Sequence, residues 1–493
     1  MAKLIGPLAP YKSTEERPFD ATKAAHLLNR AGFGGTEDEI KRVLELGHVD
    51  AVEWLLDFPD AGAEEQSQDD VPDLSAIDGY PSSYREIQQQ MRGMTADERM
   101  AYRQRLMRVN REAVVATGSW WVRRMAEGPY PLQEKLTLFW HGHFTTSARD
   151  ERSALLLWEQ NELLRRQAAG NFGQFVLDIS RDPAMLDYLN NNQNRKQHPN
   201  ENYARELMEL FTLGIGNYTE QDIKEAARAF TGWGHDGDKY IFRKFDHDNG
   251  TKEFFGRKGN LDGTAIIDAI LEHKACAPYI AGRLWSFFAY EDPEPEITQG
   301  LGQVLRENKW DFRPMLRAMF NSQAFYSNKA IGTQIKSPVQ LVVGTSRLLG
   351  LEPPVGRGLG AALQQMGQVP LEPPNVKGWP GGRAWINTST LFVRYNTMVR
   401  MVSGENVFGG GDFRSRFRRD RAGGEARQST AVAISATGRP WEIVDAWVAR
   451  LIQRPIESQK RDVLIESLGE KPDEAAVLKM VQLIVSMPDF QLC

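Results

Sequence analysis

Cysteine is nearly absent: the chain of 493 residues has two, Cys276 and Cys493. Two are too few for a disulfide framework or a thiolate zinc site, and the apolar setting of Cys276 marks it as a small core residue. Excess charge is absent as well. A net charge of -5 gives no electrostatic reason to expect DNA or RNA as a ligand. No stretch is long and apolar enough to span a bilayer. In the opening MAKLIGPLAPYKSTEERPFD the short apolar patch is broken by Pro7 and Pro10. It lacks the apolar run of a signal peptide, which leads to the expectation of a cytoplasmic protein. The common catalytic signatures are missing too: no Walker P-loop, no G-x-G-x-x-G between strand and helix, no H-E-x-x-H and no G-x-S-x-G. A di-iron bundle needs two Glu-x-x-His pairs. Only Glu45 with His48 has that spacing, and Gly47 interrupts it.

What is present is helix signal in a globular composition, 41% hydrophobic and 25% charged. Asp20 suits the cap of a helix that stops at Gly32. Thr36 with Glu39 and Thr95 with Glu98 have capping-box spacing, and Gly47 ends the first of those helices. Pro131 fits the first turn of LQEKLTLFWHGHF. Residues 149–169 read as a long amphipathic helix. Asn200 fits the N-cap of ENYARELMELFTLG, with Gly214 as its stop. Thr219 and Asp222 open the next helix, and Gly232 closes it. The best strand signal follows: Tyr240 to Phe245, a DHDNG turn, and a return over Thr251 to Phe255. The expected fold is therefore mainly α, a multi-helix globular assembly with one small β-hairpin near residues 240–255.

Four regions are expected along the chain. Residues 1–19 are an N-terminal extension. Residues 20–402 form the main helical domain, with 59–94 as a mobile insertion poor in large apolar residues. Residues 403–432 are a flexible Gly/Arg-rich segment, and 433–493 are a C-terminal helical part that packs on the main domain. Residues 352–383 read as a Pro/Gly-rich irregular segment. A faint echo links FVLDISRDPAML, MLRAMFNSQAFY and VQLIVSMPDFQL, each an apolar helix ending in a short polar turn with an apolar anchor. Its period is too irregular for a solenoid.

Polar groups are densest between Asp187 and Trp233. Asn190 to His198 form one unbroken polar run ahead of two helices. Amides piled against a helix N-terminus can hold a polar or anionic ligand, because the first-turn N–H groups there are unpaired. Asn192, Asn194, Arg195, Asn200 and Trp233 are the expected ligand contacts, against the plain alternative of a solvated loop.

HLLNRAGFG, KLTLFWHGHF, NENYARELMELFTLGIGNYTEQDIKEAARAFTGW, HDNGTKEFFG and PPNVKGWPGG with WINT together resemble the large bacterial DUF1800 family, whose function is unassigned. The resemblance covers roughly Asp20 to Arg400, with a weaker tail from Pro440. It implies a mostly helical protein, often exported and often encoded beside a sulfatase-like partner protein. The chain departs from that pattern at its N-terminus, where no export signal is read.

His141, His143, His198, His235 and His247 fall in or beside these motifs. On a continuous helix His141 and His143 point about 200° apart and cannot share a metal. If the helix ends at Gly142 they can. The alternative has one His in the core beside Trp140 and the other facing the helix C-terminal dipole. His141, His143, His247 and Asp248 are the expected ligands of a divalent ion, the one cofactor considered. The DHDNG turn does not fit a calcium loop, and Asn249-Gly250 reads as a turn with positive φ. Glu206 sits at the apolar margin of its helix and is the expected general acid or base, with His198 as its proton-transfer partner. Glu209 is expected to pair with Arg205. Trp379 and Trp385, in loop-like motifs, suit stacking on a sugar. These residues lead to the expectation of a metal-assisted or acid–base, hydrolase-like enzyme acting on a polar, saccharide-like substrate. The competing expectation is a non-catalytic binding or assembly protein acting with a partner protein.

Overall fold

The computed structural model describes residues 4–59, 71–72, 74, 77–81, 83–150, 153–404 and 432–493. The expected loose stretches therefore lie outside the described residues over 60–70 and 405–431. Helices dominate, and among the described residues the strands form only two small two-stranded antiparallel sheets. No helix among the described residues is long and apolar enough to cross a membrane.

The helix ends follow local chemistry. Thr36, Thr95 and Thr219 each accept a bond from the backbone three residues on, while Glu39, Glu98 and Asp222 return one to the cap. Each reciprocal pair satisfies two otherwise orphaned donors. Gly47, at φ +74°, breaks the Glu37–Leu56 segment in two. Two stretches expected to be irregular contain helices. Ser83 caps Tyr84–Met91, and Gly356–Met366 buries Leu359, Leu363 and Met366. The i, i+4, i+7 spacing of those three makes an apolar stripe that the surrounding Gly and Pro conceal.

The strand prediction fails in its pairing. Lys239–Phe242 pairs backward with Trp233–Asp236, and Lys252–Phe254 pairs forward with Arg257–Gly259. Two-residue turns close both hairpins. The positive-φ residues are Gly237 in one and Phe255 with Gly256 in the other, which is what tight hairpins require. The segment between them is held otherwise: Asp248 accepts from the Gly250 amide and from Arg228.

The echoed helix ends are real packing devices. Met185, Phe325 and Phe490, one after each helix, are all fully buried. Helices Phe172–Arg181 and Phe312–Phe320 start side by side, joined by a β-bridge between Asn171 and Asp311.

Two hydrophobic cores result. One gathers helices from the N-terminal half with Cys276–Phe288, Pro295–Glu307 and Phe312–Phe320. The other gathers the second half of Ala96–Glu127 with Pro338–Leu349, Gly356–Met366, Thr388–Ser403 and the helices after Pro440. Helix Pro131–His143 lies between them. Leu132, Leu136, Phe139 and Trp140 enter the first core and Leu138 the second. From Leu132 to His141 every one of its residues is buried. A helix covered on all sides must place its polar residues where something else can meet them.

Candidate functional site

The polar residues of helix Pro131–His143 meet three different surroundings. Glu134 sits in a buried polar network at the side of the second core, which contains Trp121. It accepts from Trp121 Nε1 at 3.0 Å, Arg124 Nε at 2.6 Å and Arg165 Nε at 2.7 Å. Burial alone would raise its carboxyl, but the two guanidinium groups outweigh that and hold it below the usual range. This is a satisfied structural carboxylate.

His141 and His143 lie on one unbroken helix, which runs through His143. They therefore point apart, and the geometry needed for shared ligation does not arise. His141 packs between Trp121 and Trp379, with ring centroids 5.5 Å from each. Neither of its nitrogens has a partner among the described residues. His143 stacks on Phe139 and bonds through Nε2 to the Phe211 carbonyl at 3.0 Å. Burial pushes both imidazoles down to about 3, with Arg283 adding to the effect at His143. His247 bonds through Nδ1 to the Thr231 carbonyl, and Asp248 pairs with Arg228 at 2.7 Å. Among the described residues no group of three or more His, Cys, Asp and Glu is placed to hold a metal ion.

The polar run ahead of Asn200 is folded on itself. Asn194 is fully buried; it donates to Asn191 and the Ala227 carbonyl and accepts from the Asn200 amide. Asn192 bridges Asp187, Arg243 and His235. Arg195 pairs with Asp246 at 2.8 Å. Asn200 accepts from the Asn202 amide. Trp233 is buried beneath Arg181, whose guanidinium lies 5.3 Å from the ring centre. His198 is exposed at a turn. Each amide of this run that was expected to contact a ligand has protein partners.

Glu206 ends a short α-helix, Asn202–Glu206, and a π-helix, Leu207–Thr212, takes over. The wider turn is closed by the Leu213 amide reaching back to Met208. Such π turns break the i, i+4 stripe on which the Glu206 and Glu209 expectation was built. Glu209 accepts from the Tyr218 hydroxyl at 2.9 Å, whereas Arg205 pairs with Glu201 and Glu220. Glu206 is half-buried. Burial and then Glu209 raise its carboxyl, while Arg205 and Lys377 act against them.

Lys377 belongs to the loop that organises the site. The PPNVKGWPGG segment lies on the end of helix Pro131–His143. Gly378, at φ +79°, sits so close that an added Cβ would stand 2.0 Å from the Gly142 carbonyl oxygen. A Cβ on Gly142 would stand 3.3 Å from the Trp379 ring. Only glycine fits at 378, and at 142 a side chain would crowd the Trp379 ring. This explains the glycine of H-G-H without any metal. The loop is also pinned by Ser147 donating to the Pro373 carbonyl at 2.8 Å.

Between loop and helix lies a cavity of about 270 Å³. Its helix side is Lys135, Leu138, Phe139 and Gly142, an i, i+3, i+4, i+7 stripe. Trp379 and Trp385 close it from the loop side, and Arg283 and Glu291 stand at its edge. Lys135 is the residue that the sequence reading missed. It is 3% exposed, and its ammonium lies 4.9 Å from the Phe33 ring centre and 5.7 Å from that of Phe287. Among the described residues Lys135 Nζ has no hydrogen bond and no ion pair. Burial pulls its pKa down to about 7. Arg30 and Lys336 act in the same direction, and Cys493 opposes them. No local signal marks it, because Gln133, Glu134, Thr137 and His141 give the helix a polar stripe in sequence and it is the position between two cores that buries them all.

No curated protein and no solved structure matches the chain. One family model does, described as a protein of unknown function, DUF1800, and it matches residues 26–492. The cavity is built from KLTLFWHGHF on one side and PPNVKGWPGG with WINT on the other, two of the segments that carried the resemblance. The chain belongs to the DUF1800 family.

Proposed function

We propose that the protein is an acid–base enzyme acting on a small polar substrate in the cavity between helix Pro131–His143 and the 373–385 loop. Lys135 is the proton-transfer group. One observation carries this: a lysine buried without a carboxylate partner lines a cavity roofed by two tryptophans. An unpaired buried ammonium costs stability. An amine whose pKa lies near the working pH is what general acid–base chemistry uses. Trp379 and Trp385 offer flat apolar faces of the kind on which a saccharide-like substrate stacks. Hydrolysis remains the proposed reaction class, and Glu206, which lies outside the cavity lining but feels the charge of Lys377 in the loop, is the second proton-transfer group proposed.

The test is a ligand screen by thermal shift on wild type and Lys135→Met, followed by turnover assays on the hits. Polar compounds should stabilise wild type and not the variant, and their conversion should fall at least 100-fold in Lys135→Met, the usual scale for loss of a general acid or base. Equal stabilisation of both proteins, with no turnover, would favour the alternative of a non-catalytic protein acting with a partner.

A further inference from the structure

Behind the cavity, buried cations gather around a negative charge at Cys493, which acts against the lowering of the Lys135, Arg30 and Lys336 pKa values. Arg30 and Lys336 lie near enough to Lys135 to lower its pKa, and Arg394 is buried beside Lys336. Arg30 Nε and Arg394 Nη1 have no hydrogen-bond partner among the described residues. At the cavity edge Arg283 is exposed and forms no ion pair among the described residues. Glu291 is the one carboxylate in the cavity lining. With Glu291 also in the lining, the cavity's anchor for an anion is the Arg283 guanidinium, which has no ion pair among the described residues. Its nucleophile is the Lys135 amine, which has no hydrogen bond among the described residues to hold it.

Resting on the acid–base reading above, we propose that the cavity takes a small 2-oxo acid, whose carboxylate meets Arg283 and whose carbonyl carbon forms a reversible imine with Lys135. The unprotonated Nζ attacks the carbonyl carbon. A C–N bond forms and the C=O π pair moves to oxygen. One amine proton passes to that oxygen to give the carbinolamine. With one further proton from solvent, carried by Glu291, the C–O bond breaks and water leaves. The product is a protonated imine, and hydrolysis returns both partners. No oxidant or second cofactor is needed. Burial desolvates the amine, as known imine-forming lysines require, while the ring faces of Phe33 and Phe287 attract its protonated form and oppose that effect. The depressed pKa of Lys135 is consistent with this. The cavity volume suits an acid of a few heavy atoms, below the drug-sized range.

The experiment is reductive trapping on the full chain at pH 7, with glyoxylate as the probe, cyanoborohydride as the reductant and peptide mass mapping as the readout. The expected result is one carboxymethyl adduct on Lys135, absent in Lys135→Met. Arg283→Gln, a surface change that leaves folding intact, should need about tenfold more glyoxylate for half-trapping, the scale of one charge-assisted hydrogen bond. Acetaldehyde, which lacks the carboxylate, should trap as poorly on wild type as glyoxylate does on Arg283→Gln. Adducts spread over surface lysines with the same yield in Lys135→Met would overturn the proposal. So would stabilisation by glyoxylate without an adduct. If polar ligands other than oxo acids still depend on Lys135, the imine fails while the acid–base function stands.

Discussion

Replacing Lys135 with methionine should stabilise the protein, and by an amount that depends on pH. The side chain is 3% exposed and its pKa falls from 10.5 to about 7. The folded protein therefore gives up this proton more readily than the unfolded chain. Between about pH 7 and 10.5 the unfolded state binds more protons, so stability rises with pH across that window. Below about 7 both states are protonated and the full penalty is present. A gap of about 3.5 pH units at 1.36 kcal/mol each sets an upper bound of about 5 kcal/mol. Methionine has a similar length and no charge to desolvate, so Lys135→Met removes the penalty. Urea unfolding at pH 6 should show the variant more stable than wild type by a few kcal/mol, and the two should converge as pH approaches 10. Arg30, Lys336 and Cys493 face the same region, so the difference between the two proteins, not the wild-type curve alone, reports on Lys135. Parallel curves, or a wild type more stable at pH 6, would show that Lys135 is paired or hydrated in solution and remove the basis for its role.

Three further outcomes are expected. Gly378→Ala should lower the unfolding free energy by about 2–4 kcal/mol, combining a positive-φ cost of about 1 kcal/mol with the overpacking of a Cβ against Gly142. Gly350→Ala, at φ +67° and ψ +33° with nothing within 4 Å, should lose only about 1 kcal/mol, and equal losses in urea titrations would contradict the close approach. Glu206→Gln should keep the fold and melt no lower than wild type at pH 7, because the raised folded pKa means its charged form is penalised as pH rises, while Glu209→Gln should be near neutral, since its amide oxygen still accepts from the Tyr218 hydroxyl; an unfolded Glu206→Gln would end its candidacy for proton transfer. Metal analysis of protein purified without chelators should find substoichiometric metal in wild type, unchanged in His141→Ala, and a stoichiometric ion lost in that variant would restore the ligation idea.

The helix framework was legible because its signals are local. Thr-x-x-Glu caps, Pro131 and the stop glycines act within one turn, so composition reports them directly. A small hairpin near 240–255 was legible too, but its pairing was not, because Asn249-Gly250 outshone Gly237 and Phe255-Gly256, and nothing local says which neighbour a strand will choose. The candidate site was half legible. The motifs that resemble the family contain Lys135, Gly142, Trp379 and Trp385, yet attention went to residues with familiar chemistry. His141 and His143 drew it through their spacing, although their imidazoles are buried by packing. The asparagines of 190–194 drew it through their density, although a folded polar corner needs that density to satisfy its own backbone. Lys135 escaped because a lysine is ordinarily solvated. Only the two-core position of its helix, a tertiary fact, buries it.

Lys135 presents to a usable cavity an amine that starts to lose its proton near neutral pH. Competitive labelling of the native full chain with limiting acetic anhydride, from pH 5 to 11 and read peptide by peptide, tests it directly. The account predicts that Lys135 gains reactivity around pH 7, well before the exposed lysines, and that the Lys135 signal is suppressed by a ligand that stabilises the wild type. A Lys135 that stays unlabelled throughout, or titrates with the surface lysines near pH 10.5, would contradict it.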